Sequence, residues 1–215
     1  MEHLPIFINI KQKPALVVGG GDIALRKINL LLKAKAKVDC LSPLFCEDIN
    51  TLFKDGYIKL IKKSFEQADI KDYSVIIAAT DDSLVNSLIS SIAHDKRIPV
   101  NVVDSPALSS FIMPSIVDRS PVIIAVSSAG KAPVLARIIR AKLETVIPSA
   151  YGILAEIAGE YRQKVKDRFS KIKDRRAFWE ATFSGVIAEK VFSGRINEAK
   201  NDIEKQLNDS EIGRA

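Results

Sequence analysis

Five short runs rich in β-branched residues, Ala15 to Val18, Val38 to Leu41, Ile58 to Ile61, Val75 to Ala79 and Val100 to Val103, alternate with helical patterns along the first half of the chain. No other feature constrains the fold as tightly. Parallel strands need a crossover between them, and the crossovers cover the sheet, so the alternation predicts an α/β class with a Rossmann-type parallel sheet. Between the first two runs, Ile23, Ala24, Ile28, Leu31 and Leu32 recur at helical spacing, and Lys27, Lys33 and Lys35 take the opposite face. A further helix is expected over Ser83 to Lys96, with Asp81, Asp82 and Ser83 offering N-cap oxygens.

After Asp104 the pattern changes. Phe111 to Val117 and Val122 to Ser127 are apolar strands separated by Asp118-Arg119-Ser120-Pro121, which reads as a β-hairpin. Pro133 opens a helix through about Thr145, where its missing amide hydrogen costs nothing. From Ser149 onward, Leu154, Ile157, Ala158, Tyr161 and Val165 keep a helical period that continues through Phe178 to Phe192. All nine prolines fall at or before Pro148. The expected organisation is therefore an α/β domain over 1–112, a hairpin and helix over 113–147, and a small helical domain over 148–215. With 215 residues, 47% hydrophobic and 27% charged, the chain can build one sizeable core plus an appendage. No apolar run approaches the roughly 20 residues of a membrane span. Met1-Glu2-His3-Leu4-Pro5 lacks the basic and apolar regions of a secretory signal, so a cytoplasmic protein is expected.

The most specific local motif is Gly19-Gly20-Gly21-Asp22-Ile23-Ala24, a G-x-G-x-x-A run between the first strand and its helix. Gly19 permits the tight turn, Gly21 allows a pyrophosphate to approach the backbone, and Ala24 lets helix pack on strand. The amides of Asp22 and Ile23 then face the phosphates. Asp39 precedes the expected end of its strand, so Ser42, Pro43 and Leu44 are assigned to the ribose. The lack of an Arg after Ser42 favours NAD over NADP. Thr80, Asp81 and Asn101 lie in the strand ends that form the ligand edge of such sheets. Asp104 also closes a strand there and borders the hairpin; it is either a proton-transfer group or a turn cap using Ser105-Pro106. Asp118 and Asp81 are expected in a hairpin turn and a helix cap. Ser127 to Pro133 is either an anion-binding helix entry or an ordinary capped one.

Two cysteines, Cys40 and Cys46, with His3 and His94, are too few for a Cys/His metal site, and no metal ligands are assigned. Between Arg162 and Arg176 there are eight Lys or Arg and two acidic residues, a basic surface within a chain of formal net charge +6. No aromatic platform interleaves those charges and no recognition module accompanies them, so nucleic acid is not expected as a partner. A small polycarboxylate would use the positive rim equally well.

Val17 to Ala24, Ala78-Ala79-Thr80-Asp81-Asp82, Asn101-Val102-Val103-Asp104, Ser110 to Pro121 and Arg175-Arg176-Ala177-Phe178-Trp179-Glu180, together with Met1 to Phe7, resemble siroheme synthase. The match is to its precorrin-2 dehydrogenase and sirohydrochlorin ferrochelatase part. That resemblance implies a homodimer with an NAD-binding domain, a central dimerisation segment and a helical domain. It implies two reactions at one site: NAD-dependent oxidation of precorrin-2 to sirohydrochlorin, then insertion of Fe²⁺ as a substrate. It places the acid/base role on Asp104 and substrate contacts on Ser109, Met113, Ser128 and Lys131. In the loop commonly Ser-Ser-Gly-Gly-x-Ser-Pro, this chain has Ala129 and Ala132 in place of a glycine and a serine. The methyltransferase fused to many members is missing after Gly213-Arg214-Ala215, as expected of either a stand-alone enzyme or a shortened chain. The competing expectations are a dinucleotide-sensing regulatory module and a dehydrogenase without chelatase activity.

Overall fold

The structure, a computed structural model, describes residues 2–209; Met1 and residues 213–215, which figured in the sequence comparison, lie outside them. The chain divides into two compact units. One runs to Met113 and includes Ala129–Lys131; the other comprises Pro114–Ser128 and the chain from Ala132 onward. The 113–147 and 148–215 segments thus fall almost wholly in one unit.

The first unit is built on five parallel strands, β1 (Pro14–Val18), β2 (Lys37–Leu41), β3 (Ile58–Ile61), β4 (Val75–Ala78) and β5 (Val100–Val102), in the order β3-β2-β1-β4-β5. Alternation along β1 sends Ala15 and Val17 to one face and Leu16 and Val18 to the other, and both sets are buried. A strand covered on both sides reads as a continuous apolar run, which is why these strands stand out in the sequence. Helix α1 (Asp22–Lys33) and helix α2 (Glu47–Lys54) serve the first face through Ala24, Ile28, Leu31 and Ile49. Helix α3 (Ser83–Asp95) covers the second through Ile89, Ile92 and Ala93.

Several boundaries differ from expectation. Strands β4 and β5 each end one residue early, and α3 stops at Asp95 with Lys96 as its C-cap. Helix α2 was not anticipated: it is eight residues long and buries only Ile49, too little for a periodic signal. Phe53, in its last turn, stays exposed. Lys27, expected on the polar face of α1, is half-buried.

In the second unit, β6 (Ser115–Arg119) pairs antiparallel with β7 (Val122–Val126), from Ser115 opposite Val126 to Arg119 opposite Val122. The first hairpin strand begins at Ser115 rather than Phe111, because Phe111 and Met113 pack against the α1 side of the first unit's core. Asp118 Oδ1 closes the turn, accepting from Ser120 N at 3.0 Å and Ser120 Oγ at 2.6 Å. Helix α4 (Pro133–Val146) follows. Arg119 ties its end to the hairpin, donating through Nε to Ile147 O (2.7 Å) and through Nη2 to Glu144 O (3.2 Å), carbonyls a helix end leaves unpaired.

Helices α5 (Ala150–Arg168), α6 (Ile172–Ser184), α7 (Val186–Phe192) and α8 (Ile196–Asp209) complete the unit. Gly152 of α5 sits against the hairpin turn, where a Cβ would lie 2.4 Å from Arg119 O. Leu154, Ile157, Tyr161 and Val165 of α5 meet Phe178, Val191, Ile203 and Leu207 in a separate core. Among the described residues no helix is long and apolar enough to cross a membrane.

Candidate functional site

A cleft of about 570 Å³ opens at the carboxyl edge of the parallel sheet, lined by residues that follow β1, β2, β3 and β4. Strand order reverses between β1 and β4, the point at which open α/β sheets bind ligands. Each glycine of the loop after β1 has a separate reason. Gly19 has φ +131°, and a Cβ there would lie 2.2 Å from Ala79 O. A Cβ on Gly20 would lie 1.8 Å from Leu44 O, where the chain returns and Cys46 N donates to Gly20 O at 2.8 Å. Above Gly21 there is nothing within 4 Å. The first two glycines serve the fold, and the third leaves the floor of the cleft open.

Gly21 is the N-cap of α1 and supplies no side-chain oxygen, so the first-turn amides remain directed at the cleft. Helix α3 is the contrast: Asp82 Oδ1 accepts from Leu84 N at 2.8 Å and Val85 N at 3.1 Å. Asp82, not Asp81, is thus the cap of α3; Asp81 is exposed on the cleft wall. Open amides at a helix N-terminus beside a bare glycine fit the pyrophosphate of a dinucleotide.

Gly19, Gly21, Asp22, Ile23, Ser42, Pro43, Thr80 and Asp81 all line this cleft. Thr80 is fixed there by a reciprocal pair: its hydroxyl donates to Asn86 Oδ1 (2.8 Å) and its carbonyl accepts from Asn86 Nδ2 (2.9 Å). Leu44 contributes its backbone beneath Gly20, and its side chain is exposed. Asn101 is outside the lining; it is buried, and its Nδ2 donates to Phe111 O at 3.0 Å. Asp39 is engaged by Tyr73, whose hydroxyl donates to it at 2.9 Å. Ser64, Phe65, Asp82 and Val85 also line the cleft and were not foreseen. The position of Ser64 and Phe65 just beyond β3 was the available signal.

Asp104 follows β5 with φ +57° and accepts no hydrogen bond among the described residues, so it does not cap the turn. Its charge is felt by Lys27 of α1. Burial holds that ammonium below its ordinary 10.5, and the Asp104 carboxylate opposes the fall. Ser109 is committed to the fold: its hydroxyl accepts from Val102 N (2.9 Å) and donates to Ser105 O (2.9 Å). Met113 packs on the core. Lys131 is largely exposed and pairs with Glu2 at 3.3 Å, while Ser128 Oγ accepts from Ala132 N at 3.0 Å before α4. Cys40 is buried and its thiol is pushed up to about 12 by that burial. Among the described residues no three of His, Cys, Asp and Glu gather as a metal site.

A family model described as "Putative NAD(P)-binding" matches residues 6–115, one described as "Sirohaem biosynthesis protein central" matches 119–145, and one described as "Sirohaem synthase dimerisation region" matches 150–207. Over 210 residues, 98% of its length, the chain is 61% identical to a siroheme synthase of Ruthia magnifica subsp. Calyptogena magnifica. The chain belongs to the family described as putative NAD(P)-binding, and along its length it is similar to part of siroheme synthases. A siroheme synthase of Nitrosomonas europaea is 49% identical over 211 residues, again 98% of this chain. The chain spans 44% of the length of each of these two siroheme synthases. A solved structure titled "SirC, precorrin-2 dehydrogenase" has the same fold, with a TM-score of 0.76 and 21% identity over 97% of this chain and 100% of that one. Within the siroheme synthase match, the central model covers the hairpin and α4, and the dimerisation model lies on α5 to α8.

Proposed function

We propose that this chain oxidises precorrin-2 to sirohydrochlorin with NAD⁺ and then inserts Fe²⁺ into that product, working in the cytoplasm as a homodimer and without a nucleic-acid partner. The observation that carries the reading is the 61% identity to a siroheme synthase across 98% of the chain. The open glycine cradle supports its first half.

NAD⁺ in the cleft supplies the acceptor for the hydride. The α1 amides above Gly21 hold the pyrophosphate, Ser42 and Pro43 border the ribose, and Thr80 and Asp81 form the opposite wall. Asp104 is the proton acceptor. Its carboxylate takes the proton that leaves the macrocycle as hydride departs, and later the pyrrolic protons that iron displaces. A carboxylate with no hydrogen bond of its own is free for that task, which favours an enzyme over a dinucleotide sensor. Lys131 is suited to a substrate carboxylate, because an exposed ion pair such as Lys131–Glu2 is worth at most about 1 kcal/mol and exchanges readily. Ser128 and Met113 complete the proposed substrate contacts, with Ser109 acting through the backbone it holds.

The homodimer is supported by the hairpin and α4. Leu135, Ile138 and Ile139 form an exposed stripe at helical spacing along α4, and Ile123 of β7 is exposed as well. Ile116, Val122, Ile124 and Val126 of the hairpin are half-buried and add further apolar area.

The test is to mix the purified chain with precorrin-2 and NAD⁺, follow the absorbance of the macrocycle and of the reduced cofactor, then add Fe²⁺ beside a protein-free control. Oxidation followed by iron insertion above the control is expected. Oxidation alone would leave a dehydrogenase without chelatase activity, and neither reaction would overturn the reading.

A further inference from the structure

Dinucleotide folds of this kind usually grip the adenine ribose with an acid about 20 residues beyond the glycine loop. Here the nearest carboxylate is committed elsewhere: Asp39 shares the parity of Leu41, on the face of β2 that packs toward α3, and the Tyr73 hydroxyl donates to it at 2.9 Å. The first residue beyond β2 is Ser42. It is 8% exposed, its amide donates to Ile61 O at 3.2 Å, and its hydroxyl has no hydrogen-bond partner among the described residues. A Cβ on Gly20 would come within 2.9 Å of that oxygen, so the hydroxyl lies close over the glycine loop, and Ser42 is part of the cleft lining. The oxygen is not sealed from solvent, so a ligand in the cleft can reach it. A polar group this deep normally has a partner. The wall around it carries one sign of charge: Asp22, Asp81 and Asp82 line the cleft, and among the described residues no Lys or Arg does. Lys63, next to the Ser64–Phe65 wall, is already held by Asp69 at 2.8 Å and Glu66 at 3.2 Å.

We infer that Ser42 sets the cofactor preference of this site: its hydroxyl reads the 2′-hydroxyl of the adenine ribose, and the aspartate-lined wall rejects the 2′-phosphate of NADP⁺. The inference rests on the reading that the dinucleotide lies in this cleft. A serine oxygen both donates and accepts, so it pairs with a ribose hydroxyl in either sense. A 2′-phosphate in the same place would bring about two further negative charges toward carboxylates with no cation of the lining to meet them. Like charges in a partly water-excluded cleft repel. The usual acid does both tasks with one carboxylate; here a neutral hydroxyl attracts the ribose and the aspartates of the cleft exclude the phosphate.

The test is a two-by-two comparison of binding that needs no turnover. NAD⁺ and 2′-deoxy-NAD⁺ are titrated by calorimetry into the full unaltered chain and into Ser42→Ala, with a thermal melt to check folding. In the unaltered chain, loss of the 2′-hydroxyl is expected to raise the dissociation constant about five- to tenfold, the ordinary effect of one neutral hydrogen bond. In Ser42→Ala the two cofactors are expected to bind alike, near the affinity of the unaltered chain for 2′-deoxy-NAD⁺. An equal loss in both chains would show that Ser42 does not read this hydroxyl and overturn the inference. The second arm needs no variant: NADP⁺ is expected to bind the unaltered chain at least about tenfold more weakly than NAD⁺, and equal affinity would overturn exclusion by the wall. Failure of the functional reading shows separately. NAD⁺ held as tightly by Gly21→Val would move the cofactor out of this cleft, whereas an equal loss in both chains, with NAD⁺ no longer bound by Gly21→Val, fails the inference about Ser42 alone.

Discussion

Single residues at the cleft separate what the fold needs from what a ligand needs. Gly21→Val places a side chain in open space above the α1 amides, so the chain is expected to fold with a loss of under about 2 kcal/mol while NAD affinity collapses. Calorimetry and a thermal melt check this, and an unchanged affinity would remove the cofactor from this loop. Gly20→Val, by contrast, drives a Cβ into Leu44 O and is expected to destabilise the chain itself. Asp104→Asn is an unusually clean exchange, since asparagine is among the few residues at ease in the left-handed conformation Asp104 adopts. The variant is expected to keep its melting point and NAD affinity while both reactions slow by ~10²- to 10⁴-fold, the usual effect of losing a general base. Steady-state rates beside a protein-free chelation control decide it; normal rates would reduce Asp104 to a turn residue.

At the level of elements, the exposed edge of β5 is sealed by hydroxyls. Ser110 Oγ accepts from Val100 N at 2.8 Å and Ser109 Oγ from Val102 N at 2.9 Å, so a short polar segment takes the place of a sixth strand. Strand edges left open invite pairing with another chain. Ser109→Ala is expected to destabilise the chain by about 1–3 kcal/mol, the effect of stranding a buried amide, with little change in KM. Urea unfolding and substrate titration together check it; a raised KM at unchanged stability would make Ser109 a substrate contact instead. This pairing was not legible in the sequence, where Ser109 and Ser110 look like any turn residues: which amides they meet is decided by how the chain doubles back. The strands and α1 were legible because burial on both faces leaves an unbroken apolar signature. Helix α2 was not, having a single buried residue, and neither was the choice of Asp82 over Asp81 as a cap, which turns on one residue of register.

For the molecule as a whole, two properties follow. Ile138→Glu puts a charge in the exposed stripe of α4, and a shift from dimer to monomer in sedimentation is expected without loss of helix content; a persistent dimer would move the contact to another surface. Alkaline stability is governed by buried acids. Cys40 is raised from 9.0 to about 12 by burial, and Tyr73 is raised by burial and by its bond to Asp39. Groups raised in the folded state contribute stability that is present below their unfolded values and lost as pH climbs. Lys27, lowered by burial, acts in the opposite sense, its cost easing as pH nears 10.5. Thermal melts through the interval from 9.0 to about 12 are expected to fall, and to fall less steeply in Cys40→Ala; an identical slope would remove Cys40 as a cause. The bare first turn of α1 reaches further still. Whatever anion occupies it completes a helix the chain leaves unfinished, so occupancy is itself a folding term, worth about 2.7 kcal/mol at roughly a hundred times the dissociation constant. Copies without dinucleotide therefore lie closer to unfolding, and thermal melts with and without NAD⁺ are expected to differ accordingly.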